Sequence, residues 1–328
     1  MKLRHSGHRA FLWVELLLGA AAVAVLLLMF RGNESPKKVA VIVSDSDSGE
    51  WDRFFAGIKQ GATEQNLRIV ITATDAITDA EDERAIIAQE LAGGASALIV
   101  QPAPGEGTEE MLKEAAGSIP VILVGDEPLS TEAGESTFPI SAPDSYECGR
   151  TLAEMMLTDY AGSLSGKTIG IVSAEEGTSK GEQTLQGFSD GIADQTGQAP
   201  EIAWTISASP GSSDLEQQIA EKSRVDLVAA LDTASADAAG EAAEEKTLGG
   251  AVIYGISSSE YSAYYLDHDD IAGLVIPNDY DCGWRCITQI AGKLRNSRDE
   301  IKSGAVEIRT FRREDLFRKE NEDFLFMD

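Results

Sequence analysis

Short polar segments directly follow the apolar runs of this 328-residue chain, and they are where its side chains can do chemistry. Ligands of open α/β sheets bind beyond the carboxyl ends of the strands, so we expect these segments to meet at one site. They offer carboxylates, hydroxyls, amides and an indole, but no clustered histidine and no reactive nucleophile. This set is typical of a binding cleft, and we expect no catalytic activity. The segments are 44–51, 101–105, 125–128, 173–178, 232–233, 257–259 and 277–280.

The three cysteines do not form a disulfide or metal pattern. Cys282 and Cys286 are spaced to lie on one helix face, which is poor geometry for a disulfide, and Cys148 is far away in the sequence. Small buried thiols are their expected role. The segment 45–49 resembles the start of a calcium loop but lacks the third ligand and the distal glutamate. We therefore expect neither a metal nor a cofactor.

Strand-type apolar runs alternate with stretches of helical periodicity, and these elements must position the polar segments. The first pair is a run at 39–43 followed by apolar residues at helical spacing from Trp51 to Ala62. Continuous apolar runs bounded by turns suit parallel strands that are buried on both faces. About ten such units predict an α/β fold with two doubly wound sheets rather than one. The other runs are 97–100, 120–124, 168–172, 226–231, 251–256 and 271–276.

The N-terminus places a basic tip before a long apolar run. Residues 10–30 carry one charge, Glu15, and match the roughly 20 residues that cross a bilayer as a helix. Three basic residues precede the run and one follows it, so the positive-inside rule predicts a cytoplasmic tip at 1–9. A tether at 31–37 then leads to an extracytoplasmic remainder. A cleaved signal peptide is the alternative, because 19–22 offers small residues, but the apolar run continues past that point.

The charge balance is strongly acidic. The chain has 27 Lys and Arg against 55 Asp and Glu, a formal net charge of -28. Nucleic acids and anionic lipids bind through basic residues that neutralise phosphate, so we expect no nucleic-acid partner. An acidic coat outside the cell favours solubility without implying any acid-specific chemistry.

Several stretches, taken in order, carry a family resemblance. Residues 39–66 combine a strand, a Ser/Asp-rich turn, an aromatic helix start and Gly61-Ala62. Over residues 38 to 310 the chain resembles type I periplasmic binding proteins, in the sugar-binding branch of ribose-binding proteins and lactose-repressor-like ligand domains. The resemblance implies two Rossmann-like lobes, joined by three hinge strands, that close over a small ligand. The later stretches that agree are 94–102, 119–122, 144–150 and 177–188.

The resemblance also implies an organisation and a function. It places the N-terminal lobe at 38–142 plus 278–304 and the C-terminal lobe at 143–277 plus 305–328. The expected protein is a membrane-tethered, extracytoplasmic solute-binding protein that closes on a small ligand and delivers it to an ABC-type transporter permease. A sugar is the first expected ligand. The alternative is a ligand-sensing subunit that signals to a membrane sensor kinase or receptor without transport.

Carried over residue by residue, the resemblance implies five ligand contacts. Asp47 and Trp51 lie in the first loop, Asp126 follows the third strand, Asp232 follows the run at 226–231, and Asn278 lies at the last hinge crossing. A flat indole can stack on the apolar face of a pyranose, and carboxylates accept hydroxyl protons. Core packing is the alternative role for Trp51. Capping a helix is the alternative for Asp232 and Asn278.

Three positions depart from the pattern of ribose-binding proteins. Thr184 stands where an arginine is usual, Ser257 replaces a common aspartate, and Pro277 replaces the hinge glutamine. These changes remove usual hydroxyl-binding groups. We therefore expect a different sugar, a nucleoside or polyol, or no ligand.

Overall fold

The computed structural model describes residues 13, 15–23, 36–47, 49–75, 77–125, 136–319, 321 and 324. The chain divides into two units, residues 1–37 and residues 38–328. In the first unit, the described residues 13 and 15–23 are helical and exposed. No helix within the described residues is long and apolar enough to cross a membrane. Much of the predicted span 10–30 lies outside those residues.

The second unit is built from alternating strands and helices. Its strands are β1 Lys38–Ile42, β2 Arg68–Ile71, β3 Ala95–Val100, β4 Val121–Val124, β5 Ile140–Ala142, β6 Ile169–Ser173, β7 Ile202–Ser207, β8 Leu227–Ala230, β9 Val252–Ile256, β10 Gly273–Pro277, β11 Gly304–Ala305 and β12 Ile308–Phe311. Its α-helices are α1 Asp52–Gln65, α2 Ala80–Ala92, α3 Thr108–Ala116, α4 Ser145–Asp159, α5 Ser179–Thr196, α6 Leu215–Ala220, α7 Thr233–Glu244, α8 Glu260–Asp267 and α9 Asp279–Arg295. A short 3-10 helix, Gly49–Trp51, precedes α1.

The strands of the described residues form two six-stranded sheets with the same winding. The first sheet has the order β11-β5-β4-β3-β1-β2, and the second has the order β12-β10-β9-β8-β6-β7. Every pair is parallel except β10 with β12, which is antiparallel. The prediction of two doubly wound parallel sheets is therefore confirmed.

Each sheet carries an apolar core on both faces, which explains the continuous apolar runs in the sequence. In β1, Val39 and Val41 face one core with Phe54 and Ile58 of α1. Ala40 and Ile42 face the opposite core, which includes residues of α2 and α3. A strand that is buried on both sides cannot alternate apolar with polar residues. Burial at β1 is complete or nearly so from Val39 onward.

The chain passes between the sheets three times. It does so between β5 and α4, between β10 and α9, and between β11 and β12. We refer to each sheet with the helices packed on it as a lobe, so that α1 and α9 belong to the first lobe and α4 and α5 to the second. The domain limits predicted from the sequence stay a prediction.

The helix pair α4 and α5 packs closely in the second lobe. A methyl group on Gly187 of α5 would overlap the carbonyl oxygen of Tyr146, and one on Gly149 of α4 would overlap that of Thr184. Glycine lets the two backbones approach to this distance. The glycines at 149 and 187, part of the family resemblance, therefore have a packing role.

Candidate functional site

A small cavity lies between the lobes, where the carboxyl ends of strands from both sheets face each other. We call it the interlobe cavity. It encloses about 80 Å³, room for several water molecules. Both lobes contribute to its lining, which is Glu50, Trp51, Phe54, Gln101, Val124, Gly125, Pro143, Ser145, Cys148, Lys180, Thr184, Leu231, Asp232, Thr233, Ile256, Ser257, Ser258, Pro277, Asp279 and Cys282.

Matching hydrogen bonds hold the strand ends beside the cavity. In the first lobe, the side-chain oxygen of Gln101, after β3, accepts the backbone N–H of Ser44, after β1, at 2.8 Å. In the second lobe, the carboxylate of Asp232, after β8, accepts the backbone N–H of Ala174, after β6, at 2.7 Å. Both bonds join the two strands at which the order of the sheet reverses, the usual ligand position in doubly wound folds.

Asp232 both lines the cavity and caps a helix. Its second carboxylate oxygen accepts the N–H of Ser235 at 2.9 Å, as the N-cap of α7. Burial raises the pKa of Asp232 to about 6, the charge of Glu175 adds to this rise, and the two N–H bonds oppose it. The capping role weighed in the sequence is therefore present. Asp232 also lines the interlobe cavity, and its contact with a ligand stays a prediction.

Trp51 likewise serves two structural roles. Its indole N–H donates to the carbonyl oxygen of Ser44 at 3.1 Å, and its ring packs edge-on against Phe54 at 5.5 Å between centroids. The side chain is only 8% exposed, yet it lines the interlobe cavity beside Gly125. Core packing and contact with a ligand are thus compatible at this position.

Lys180 brings a positive charge to the cavity from the first turn of α5. Its Nζ lies 2.7 Å from a carboxylate oxygen of Glu175 and 3.3 Å from one of Glu50. Burial lowers the pKa of Lys180, but the charges of Glu175 and Glu50 outweigh it, so the net shift is upward. The lysine is therefore held as a cation between two glutamates.

Asp279 is the second aspartate at the cavity, and its side chain is partly buried. It is the first residue of α9 and accepts a hydrogen bond from the hydroxyl of Ser258, in the loop after β9. Burial raises the pKa of Asp279 to about 6, against the Ser258 bond and the charge of Arg53. The contact joins the two lobes, because α9 packs on the first sheet and β9 belongs to the second.

The other three predicted site residues are placed differently. Asp47 is exposed and is not among the residues that line the interlobe cavity. Asn278 is also outside the lining and caps α9, accepting the N–H of Asp281 at 3.1 Å. Asp126 lies outside the described residues. Of the five candidates, the structure brings Trp51 and Asp232 together at one cavity.

The three departures from the ribose-binding pattern all line the cavity. The hydroxyl of Thr184 donates to the carbonyl oxygen of Lys180 at 2.8 Å, and the Ser257 hydroxyl lies 3.2 Å from that of Ser259. Pro277 ends β10 without a side-chain polar group. Polar recognition in this cavity therefore depends on other residues.

Sequence reasoning missed Glu50, Lys180 and Asp279 as individual site residues. Asp279 lies within the segment 277–280 and Glu50 within 44–51, so the rule of strand ends had marked their location. Lys180 follows the segment 173–178 by two residues. Its position at the start of a helix after β6 was the available signal. Within the described residues, no group of three or more His, Cys, Asp or Glu is placed to hold a metal ion.

Two lobes of like winding, with residues of both lining one cleft, define a bilobal protein of the doubly wound class. The chain belongs to the periplasmic binding protein domain family, which matches residues 39–297. The fold part of the resemblance stated above is thereby confirmed. No curated protein is similar enough to the chain to count as a match.

Solved structures share the fold at low sequence identity. A carbohydrate transporter solute-binding protein from Agrobacterium radiobacter, in complex with D-arabinose, is 20% identical with a TM-score of 0.75, covering 89% of this chain and 100% of that one. An ABC transporter periplasmic solute-binding protein from Actinobacillus succinogenes, with bound D-allose, is 16% identical with a TM-score of 0.73, covering 85% and 98%. A chain of the XylFII-LytSN complex is 14% identical with a TM-score of 0.70, covering 86% and 99%.

Proposed function

We propose that this chain is an extracytoplasmic solute-binding protein that closes on a small sugar and delivers it to an ABC-type transporter. The interlobe cavity carries the proposal, because it gathers an indole, two aspartate carboxylates and several hydroxyls from both lobes. These groups suit the apolar face and the hydroxyls of a sugar. The sugar complexes of the Agrobacterium and Actinobacillus proteins support the same ligand class.

Ligand entry requires the lobes to separate. A cavity of about 80 Å³ is small for a monosaccharide, and residues of both lobes enclose it. Opening at the three crossings and closure around the ligand would be a hinge movement. The ligand then stabilises the closed state because only that state brings both sets of contacts to it.

A thermal-shift screen tests the proposal. The chain from Lys37 to Asp328, which contains the compact second unit, is heated with monosaccharides, polyols, nucleosides and amino acids in turn. A ligand at a hundred times its dissociation constant adds about 2.7 kcal/mol to the free energy of unfolding. A shift with one sugar class supports the proposal. A shift confined to nucleosides or amino acids refutes the sugar assignment, and no shift in any class refutes solute binding.

We further propose that residues 10–30 tether the protein to the membrane with 1–9 in the cytoplasm. The support is the apolar run and its flanking basic residues. Expression of the full chain followed by membrane fractionation and intact-mass measurement tests this. A full-length mass in the membrane fraction supports the tether, whereas a shortened mass in the soluble fraction indicates a cleaved signal peptide.

Ligand sensing without transport is the second candidate. The observation that favours it is the XylFII-LytSN complex, since a protein of this fold is there assembled with a second protein. In this case the closed, ligand-bound form would bind a membrane receptor or kinase instead of a permease. Affinity capture with and without the sugar found in the screen, followed by identification of co-purified membrane proteins, distinguishes the two candidates.

A further inference from the structure

One ion pair in the interlobe cavity connects the lobes. Glu50 lies in the 3-10 helix before α1, which packs on the first sheet, and Lys180 lies in the first turn of α5, which packs on the second. Their charged atoms are 3.3 Å apart, although the residues are 130 positions apart in the chain. The pair forms only when the lobes are close together.

The contact of Lys180 with Glu175, unlike that with Glu50, lies within one lobe. Glu175 lies five residues before Lys180 in the same lobe, and its 2.7 Å contact does not depend on the position of the other lobe. Glu175 therefore neutralises the lysine in both the open and the closed state. Glu50 adds its attraction only in the closed state, so it acts on the equilibrium between them.

We propose that the Glu50–Lys180 ion pair is a closure latch that holds a large part of the ligand-free protein in the closed state. The proposal rests on the proposed function, since closure serves a protein that binds a ligand between its lobes. The latch raises the apparent affinity, because the apparent dissociation constant is the intrinsic one divided by the populated fraction of the competent state. Both latch residues line the cavity, so the latch and the ligand favour the same arrangement.

Partial burial makes the pair strong enough for this role. The side chains of Lys180 and Glu50 are 26% and 36% exposed, so solvent and salt screen their attraction less than that of a fully exposed pair. Removing an ion pair in such a setting is expected to change the ratio of closed to open molecules about fivefold.

Double electron–electron resonance on the full chain in detergent tests the latch. Gln89→Cys on α2 and Gln186→Cys on α5 place spin labels on exposed positions of the two lobes. The native cysteines, Cys148, Cys282 and Cys286, are replaced by alanine in every protein measured, because Cys148 and Cys282 line the cavity and would become accessible to the label when the lobes open. Glu50→Gln removes the latch charge while keeping the shape of the side chain.

The matched control is Glu114→Gln. Glu114 forms an ion pair with Arg84 at 3.0 Å, and both residues lie in the first lobe, so this variant removes the same charge without affecting a contact between lobes. We expect a dominant short distance without ligand, a roughly fivefold shift toward a longer distance in Glu50→Gln, and no shift in the control. Three results would each overturn the latch. They are a predominantly long distance between the labels in the chain with Glu50 intact, an unchanged distance distribution in Glu50→Gln, and an equal change of the distribution in the control. Because these distances are measured without ligand, they test the latch even if the thermal-shift screen refutes solute binding.

Discussion

The buried carboxylate of Glu83 accepts a 3.0 Å hydrogen bond from the backbone N–H of Ala103. This bond ties α2 to the loop that begins with Gln101 at the interlobe cavity. The other Glu83 oxygen is buried, with no hydrogen-bond partner in the part of the chain that the structure describes. Burial raises the pKa of Glu83 from 4.5 to about 7, against the Ala103 bond.

This shift predicts a stability that depends on pH. The folded state holds the Glu83 proton more tightly than the unfolded state, so its stabilising contribution is full below pH 4.5 and is lost as the pH rises through 7. The shift corresponds to about 3 kcal/mol. The raised pKa values of Asp232 and Asp279, about 6, act in the same direction over a lower range. We therefore expect the urea concentration at the midpoint of unfolding to decrease as the pH is raised from mildly acidic to neutral.

Glu83→Gln isolates this contribution. The amide oxygen can still accept the Ala103 bond, but no buried charge forms at high pH, so we expect the variant to be more stable than the unmodified chain by at least about 1 kcal/mol near pH 8. Near pH 4, below the unfolded-state pKa, the two should be alike. Glu81→Gln, on the exposed side of the same helix, is the control. Parallel stability curves for Glu83→Gln and the unmodified chain would contradict the prediction.

Asp232→Ala should weaken both stability and ligand binding. The change leaves the N–H groups of Ala174 and Ser235 without their acceptor and should cost about 1–3 kcal/mol of unfolding free energy. Asp79→Ala removes a comparable cap, on Glu81 and Asp82 at the start of α2, away from the cavity lining. Calorimetric titration should show reduced affinity only for Asp232→Ala. Equal affinities would remove Asp232 from the site.

Trp51→Phe should weaken ligand binding and remove most of the fluorescence change on binding. A phenyl ring keeps part of the packing against Phe54 but loses the 3.1 Å bond to Ser44 and the larger stacking surface. Trp204→Phe is the matched control, because that indole donates to the Ser223 carbonyl at 2.9 Å in the second lobe and does not line the cavity. A full fluorescence change in Trp51→Phe would place the ligand elsewhere.

Gly187→Ala should strongly destabilise the second lobe. The added methyl group would overlap the carbonyl oxygen of Tyr146, forcing α4 and α5 apart at a cost of about 1–3 kcal/mol or more. Gly292→Ala, in α9, is the control. Its added methyl group would lie 3.6 Å from a carboxylate oxygen of Asp299, an ordinary contact, and alanine favours the helical conformation. Thermal unfolding should show a lowered midpoint for Gly187→Ala alone. A midpoint equal to that of the unmodified chain would show that the helices separate freely.

The buried strands were predictable because a strand that is buried on both faces has a continuous run of apolar residues. The run at 39–43 anticipated β1, whose alternate residues enter two different cores. The strands missed were those on sheet edges or of few residues, such as β5 and β11, which depend on a neighbour for pairing. In β7, Ile202–Ser207, buried residues alternate with exposed ones over part of the strand, and this period of two was the unused signal.

The site was predictable in location but only partly in composition. Asp232 directly follows an apolar run, so the rule of strand ends identified it. Glu50 and Lys180 are 130 residues apart in the sequence, so no local sequence pattern could predict that they form an ion pair. In a chain with 55 acidic residues, a single glutamate also resembles any solvated side chain. The contacts between the lobes are thus the part of the site that the sequence patterns could not predict.

The late position of α9 in the chain constrains the order of biosynthesis. The face of α1 that carries Phe54 and Ile58 is covered by Cys286, Ile287 and Ile290, more than two hundred residues later. The N-terminal lobe therefore cannot complete its core while the ribosome is still adding the middle of the chain. The apolar face of α1 in a nascent chain of this design therefore stays accessible to chaperones until α9 has been synthesised.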